Sequence, residues 1–249
     1  EDADKIDPNR IDITEMEDED VTGEELTGGY LLEVDQRLEE NSEPGFRTVH
    51  KQIPVVVKEP DPARPQQMAY IRNHVQALEN SIVLPNFKDP VNGYRKYLDT
   101  SSFIDHYLVH ELTRNHDYFF SSTFFSKDRG SDKFVFGPIW DFDLSMGTIR
   151  RGIDAPPEGW RARNLGSWTP RLFQDEAFVA EVADRWRGLR PAFEAIAVEL
   201  EAKGDSLRSA ITGDELRWRY SLHETDEASF LREWLEARID WIDAQLAGF

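Results

Sequence analysis

Three aspartates in the middle of the chain have the residue type and spacing of a metal-dependent active site. Asp117 follows a helix-like segment, and Asp141 and Asp143 lie two residues apart further along. Residues two apart in an extended segment point to the same side, so Asp141 and Asp143 offer the hard oxygen ligands that Mg²⁺ prefers. Converging carboxylates repel one another unless a cation, a proton or a basic side chain lies between them.

A predicted β-hairpin between the aspartates explains why they should converge. Residues 123–136 read as two short aromatic strands around a turn rich in Asp, Ser and Gly. Before them, apolar residues at helical spacing predict a helix that is capped by Ser101 or Ser102 and ends just before Asp117. Because a hairpin brings its two ends together, we expect Asp117 and Asp141 to lie side by side.

The order of these elements matches that of enzymes of phosphoryl transfer. Protein kinases have a helix, a base Asp, a metal-binding Asn five residues later, a hairpin and then Asp-Phe-Gly. Here Asp117 takes the base position, Ser122 takes the Asn position, and Asp141 begins the run Asp-Phe-Asp. A turn whose aspartates only cap backbone N–H groups is the alternative, and a metal-dependent phosphohydrolase is another, since clustered Asp with Mg²⁺ serves that chemistry equally.

Several motifs also resemble the CotH kinase family, the spore-coat-protein-H-like kinases. The residues that carry the resemblance are GPIWDFDL at 137–144, TGGYLLEVD at 27–35, the Asn115-x-Asp117 turn and Ser122-Thr123-Phe124. The resemblance spans nearly the whole chain and is strongest over residues 97–147. It implies an atypical, protein kinase-like α+β fold and extracytoplasmic Ser/Thr kinase activity that uses ATP and Mg²⁺ or another divalent metal.

The resemblance also implies a role for each candidate residue. Asp117 is the expected catalytic residue, Asp141 and Asp143 are the expected metal-site residues, and Ser122 and Asp141 are the expected cofactor-binding residues. Many members have Asn where this chain has Ser122 and where it has Thr148, and Ser is a shorter and weaker metal ligand. These two departures favour the alternative function, a catalytically inert scaffold for coat or cell-surface assembly.

Composition and charge limit the classes of partner. The chain has 249 residues, enough for a sizeable core, and no cysteine, which excludes disulfides and thiolate chemistry. Its net charge of −19 comes with no basic stripe, so its surface repels nucleic acid. No apolar run is long enough to predict a membrane span. The resemblance implies a secreted or surface protein as the substrate.

The sequence predicts an acidic N-terminal segment, residues 1–26, and a CotH-like kinase domain, residues 27–249. The segment has twelve acidic residues against two basic ones, which is typical of a solvated tail. The family carries a basic, strand-rich portion upstream of residues 9–13, whereas this chain begins at Glu1. We therefore expect the domain to be the C-terminal portion of a longer kinase, with a nucleotide site that is open on one side.

The other segments predict a small antiparallel sheet and the hairpin packed on a helical C-terminal half. Strands are expected at 9–13, 30–35 and 53–58, a polar loop at 36–50, a helix at 65–81 and further helices after 170. Glu33, Asp35 and Lys58 are interpreted as exposed surface residues rather than as ligand contacts. His106 and His110, four apart on the central helix, are interpreted as packed or surface residues rather than as a metal pair.

Overall fold

A five-stranded antiparallel sheet positions the residues of interest. The computed structural model describes residues 13–147, 156–165, 167–218 and 227–249. The strands are β1 (Tyr30–Val34), β2 (Gly45–Arg47), β3 (Pro54–Glu59), β4 (Thr123–Lys127) and β5 (Val135–Phe136). Their order in the sheet is β2-β3-β1-β4-β5, and all of these pairs are antiparallel. The predicted small antiparallel sheet and its hairpin, β4-β5, are therefore confirmed.

Helices make up most of the rest of the described chain. They are α1 (Leu38–Asn41), α2 (Pro65–Val83), α3 (Thr100–Thr113), α4 (Thr169–Leu172), α5 (Glu176–Trp218) and α6 (Glu227–Leu246), with 3₁₀ turns at Glu25–Thr27, Tyr94–Lys96 and Ala162–Asn164. The α+β architecture and its helical C-terminal half are as predicted. Each helix of the described residues is too short or too polar to cross a membrane.

One local prediction is wrong, and another falls almost wholly outside the described residues. The polar loop expected at 36–50 contains α1 and β2, because Phe46 is buried and pairs with Val55 of β3. Isolated buried residues in a polar run, Leu38 in α1 and Phe46 in β2, are thus enough to hold short elements, which a search for apolar runs misses. The predicted strand at 9–13 falls outside the described residues except for Ile13, which is not in a strand, and Thr148 also lies outside them.

The helix before the first aspartate begins earlier than predicted. Asp99, and neither Ser101 nor Ser102, is the N-cap of α3, and its carboxylate accepts a hydrogen bond from the Ser102 amide at 2.8 Å. A carboxylate satisfies a free N–H group and also interacts favourably with the positive end of the helix dipole. The helix ends at Thr113, and Arg114 follows with a left-handed φ of 50°, so the chain turns sharply just before Asp117.

Aromatic side chains fix the hairpin on the central helix. The Phe136 ring stacks on Phe125 across the two strands at 5.2 Å and meets the edge of Phe103 on α3 at 4.8 Å. All three side chains are buried. Full burial of a large apolar side chain stabilises a fold by about 1.5–3 kcal/mol. The hairpin is therefore held at a fixed position relative to the C-terminal end of α3, where Asp117 lies.

Candidate active site

Asp117, Asp141 and Asp143 form one cluster, which we call the acidic triad. One carboxylate oxygen of each residue lies within 4.8 Å of those of the other two. Asp117 and Asp141 are partly buried, and Asp143 is exposed. The structure thus brings together the three aspartates that the hairpin was expected to join.

Asn115 connects the two chain segments that carry the triad. Its side chain is fully buried, and its amide nitrogen Nδ2 donates to the backbone carbonyl of Asp141 at 3.0 Å. Its carbonyl Oδ1 accepts from the Asp117 amide, also at 3.0 Å. Asp141 has a φ of 62°, a left-handed conformation that is uncommon outside glycine and often marks a functional turn. The Asn115-x-Asp117 motif in the sequence was the signal for this link.

The triad concentrates negative charge in a partly desolvated place. Burial raises the pKa of Asp117, and the Asp143 carboxylate raises it further, while Arg37 and Arg161 oppose the shift. Burial also raises the pKa of Asp141, and a hydrogen bond with Asp143 and the charge of Asp143 raise it further. A divalent cation relieves this kind of repulsion and is held by carboxylate oxygens. The donor set therefore fits Mg²⁺ or a similar hard ion.

Ser122 lies at the triad, as its position in the motif predicts. Its hydroxyl donates to Oδ2 of Asp141 at 3.3 Å, and its backbone amide donates to Oε1 of Glu33 at 2.9 Å. The side chain is buried. In this arrangement, Ser122 orients Asp141 and ties it to the sheet.

A comparison with known families agrees with this geometry. A family model described as CotH kinase protein matches residues 6–242 of the 249 in the chain. The chain belongs to the CotH kinase family. This confirms the resemblance seen in the sequence motifs, and the match includes the whole acidic triad. A search of curated proteins returned no match to this chain.

In this member of the CotH kinase family, Glu33 and Lys58 are not surface residues, and that interpretation of the sequence is wrong. Both are buried on the neighbouring strands β1 and β3, and Nζ of Lys58 lies 3.2 Å from Oε2 of Glu33. Nζ also donates to Glu43 at 2.6 Å. Burial raises the pKa of Glu33 even though Lys58 opposes the shift. The charged residues within two mostly apolar strands were the signal in the sequence.

Asp35, interpreted from the sequence as exposed, is also buried. Its carboxylate accepts hydrogen bonds from the backbone amide of Arg37 at 2.8 Å and from Nε of the same residue at 3.1 Å. A buried carboxylate needs a charged or hydrogen-bonding partner, and Arg37 supplies both. Sequence reasoning missed this pair, although the Asp-x-Arg spacing after β1 allows it.

A second arginine, Arg161, supports the loop of Asp117. Arg161 donates from Nε to the carbonyl of Asn115 at 3.2 Å and from Nη2 to that of His116 at 3.1 Å. Its own amide donates to Oε1 of Glu111 at 2.8 Å. Sequence reasoning did not identify Arg161, because its partners are backbone carbonyls 46 and 45 residues away.

Proposed function

We propose that this chain is a metal-dependent protein kinase that transfers a phosphoryl group from ATP to Ser or Thr hydroxyls of secreted or surface proteins. The observation that carries the proposal is the convergence of Asp117 with Asp141 and Asp143 at the two ends of one hairpin, in a chain of the CotH kinase family. In protein kinases, one Asp accepts the proton of the substrate hydroxyl and another holds the metal ions at the phosphates.

Each member of the triad then has a distinct role. Asp117 orients the acceptor hydroxyl and takes its proton, and a pKa raised by burial suits a general base. Asp141 and Asp143 hold the divalent ion, which when bound neutralises charge on the phosphates. Ser122 keeps the Asp141 carboxylate in position through its hydroxyl.

The Glu33–Lys58 pair supports a nucleotide site next to the acidic triad. Protein kinases pair a strand lysine with a glutamate and use the lysine to hold the phosphates of ATP. Here Glu33 also accepts the amide hydrogen bond of Ser122, which itself contacts Asp141. The lysine and the triad are therefore linked by one chain of contacts, and we assign Lys58 to phosphate binding.

An inert kinase-like scaffold is the second candidate function. It is favoured by Ser122, which stands where kinases have a metal-binding Asn, and by Lys58, whose ammonium group is already held by Glu33 and Glu43. A lysine that is neutralised by two carboxylates is less available to a phosphate. Metal-dependent nucleotide binding separates the two candidates.

Two substitutions test the kinase proposal. Asp141→Ala should abolish Mg²⁺-dependent binding of ATP, measured by titration calorimetry. Asp117→Asn should keep binding and lower transfer of labelled phosphate to dephosphorylated casein, the acceptor probe, by about 10²-fold or more. Asp132→Asn, which changes an exposed aspartate in the hairpin turn, is the matched control.

Three results would count against the proposal. Wild-type protein that binds no ATP with Mg²⁺ would favour the scaffold. Release of inorganic phosphate without labelled protein would indicate a phosphohydrolase. Full transfer activity in Asp117→Asn would remove that residue from the catalytic role.

A further inference from the structure

Arg37 lies in the turn between β1 and α1, directly beside the loop that carries Asp117. Val34 at the end of β1 pairs with Thr123 at the start of β4, so the residues that follow β1 lie next to those that precede β4. The Gln36 amide donates to the carbonyl of Phe120 at 2.8 Å. Consistent with this placement, the positive charge of Arg37 lowers the pKa of Asp117.

A buried carboxylate holds this exposed guanidinium group in one orientation. Nε and Nη2 of Arg37 donate to Oδ1 and Oδ2 of Asp35 at 3.1 and 3.3 Å. The side chain of Asp35 is 3% exposed, whereas that of Arg37 is 49% exposed. Surface arginines are usually mobile, and fixing one through two parallel hydrogen bonds makes it a pre-organised anion ligand.

Arg47, on β2, shows what a purely structural arginine looks like in the same sheet. It also forms two hydrogen bonds with one carboxylate, that of Glu39, at 2.6 and 2.7 Å. Its remaining nitrogen, Nη1, donates to the carbonyl of Gln52 at 3.0 Å. In contrast, no residue in the described part of the chain accepts a hydrogen bond from Nη1 of Arg37. One donor of Arg37 is thus free for a ligand beside the triad.

We propose that Arg37 is a further catalytic residue, which binds the phosphoryl group that is transferred at the acidic triad. This inference rests on the proposed kinase function. In the step, the acceptor oxygen forms a bond to the γ-phosphorus of ATP, the bond from that phosphorus to the β,γ-bridging oxygen breaks, and the hydroxyl proton passes to Asp117. Arg37 stays protonated throughout and donates to an oxygen of the transferring group. A fixed cation at that position stabilises the charge on the equatorial oxygens.

Arg161, the other arginine near Asp117, has a different role. Its Nε and Nη2 groups donate to the carbonyls of Asn115 and His116, so they are occupied by the backbone of the loop. Arg161 is half-buried against this loop and is therefore a positioning residue for Asp117, whereas the exposed Arg37 is assigned the phosphate contact.

The test compares two variants that lack the Arg37 charge with a matched control. Arg37→Gln leaves the buried Asp35 without its partner, which alone can destabilise the fold. The double variant Asp35→Asn/Arg37→Gln removes both charges, so no buried charge is left without a partner, and its melting temperature shows whether it is folded. Arg47→Gln is the control. Melting temperature, calorimetric affinity for ATP and for ADP with Mg²⁺, and transfer to dephosphorylated casein are measured for each protein.

We expect kcat to fall by about 10²-fold or more in both Arg37 variants. Affinity for ATP should fall by about tenfold, whereas affinity for ADP, which lacks the transferred group, should stay within about twofold. Arg47→Gln should match wild type. A double variant with wild-type kcat, or an equal loss of ADP and ATP affinity, would overturn the role of Arg37 while the kinase proposal stands. Wild-type protein that binds no ATP would overturn both.

Discussion

The stability of the acidic triad depends on what neutralises its charge. The pKa values of Asp117 and Asp141 are raised, so each carboxylate becomes easier to protonate on folding. A group with a raised folded pKa destabilises the fold once it is ionised, so at neutral pH the triad costs stability that a bound cation restores. Such a destabilising cluster of charge is expected where the charge binds a cation.

Neutralising one member of the triad should therefore stabilise the protein in the absence of metal. We expect Asp141→Asn to raise the free energy of unfolding at low ionic strength by about 1 kcal/mol, the repulsion of one close pair in water-like surroundings, or roughly 2–4 °C in Tm. Adding MgCl₂ should raise the Tm of wild type more than that of the variant. Thermal melts with and without MgCl₂ measure both effects.

Asp132→Asn is again the control, because Asp132 is exposed at the other end of the hairpin. It should neither raise the Tm without metal nor reduce the response to MgCl₂. Equal stabilisation of wild type and Asp141→Asn by MgCl₂ would mean that the ion binds away from the triad.

At the scale of elements, α3 supports the triad through two histidines with no polar partner. His106 and His110 are buried, and none of their four ring nitrogens forms a hydrogen bond within the described structure. The two rings lie 4.3 Å apart, and His110 lies 4.9 Å from Phe142, between two aspartates of the triad. Of the two alternatives given for this pair, packed or surface residues, the structure shows the packed one. They act as aromatic packing beneath the Asp-Phe-Asp turn.

This packing should make stability fall in mild acid. Burial lowers the pKa of His110 to about 3 and that of His106 well below its ordinary value. Below pH 6.5 the unfolded chain therefore binds protons that the folded chain does not, and stability is lost as pH falls. Between pH 7 and pH 5 the loss is roughly 2 kcal/mol for His110, and His106 adds to it in the same direction. Urea unfolding of wild type and of His106→Phe/His110→Phe at both pH values measures it.

The double variant should lose this part of the pH dependence and should be at least as stable as wild type at pH 7, because it removes buried polar atoms without partners. His50→Phe, at an exposed histidine, should keep the wild-type pH dependence. An identical decrease in wild type and in His106→Phe/His110→Phe would trace the acid sensitivity to other groups.

The elements that sequence reasoning predicted are those with strong local signals. The hairpin, α2 and α3 follow from periodicity and turn composition, and the meeting of Asp117 with Asp141 follows from the hairpin. The supports of the site were missed because their partners are far apart in the chain. Lys58 meets Glu33 only through sheet pairing, and Arg161 meets Asn115 only through the packing of the segment after the triad. Periodicity within a segment contains no information about such partners.

At the scale of the whole molecule, a buried ion pair connects the C-terminal helix with the triad. Arg238 of α6 and Glu111 of α3 are almost completely buried, and Nη2 of Arg238 lies 2.6 Å from Oε1 of Glu111. Nη1 donates to the carbonyls of Pro157 and Gly159 at 2.7 and 2.8 Å. Glu111 also accepts the amide of Arg161, whose side chain holds the loop of Asp117. The helix farthest along the chain thus helps to position the loop of Asp117.

Breaking this pair should affect both stability and the site. Arg238→Met leaves the Glu111 carboxylate buried without its paired charge and removes the donors to the carbonyls of Glu111, Pro157 and Gly159. We therefore expect a loss of about 3–5 kcal/mol in the free energy of unfolding. Arg232→Met on the same helix is the matched control. Arg232 pairs with Glu201 and Glu236 near the surface, and such pairs contribute at most about 1 kcal/mol.

The same variants separate the effect of the ion pair on stability from its effect on metal binding at the triad. If Glu111 positions Asp117 through Arg161, Arg238→Met should weaken stabilisation by MgCl₂, whereas Arg232→Met should not. Chemical unfolding gives the stability, and the shift in Tm with MgCl₂ gives the metal response. The ion pair is far from the carboxylates in sequence and is linked to them by Arg161. A destabilised Arg238→Met with a normal metal response would therefore contradict the link. It would show that the pair holds the fold together without setting the geometry of the site.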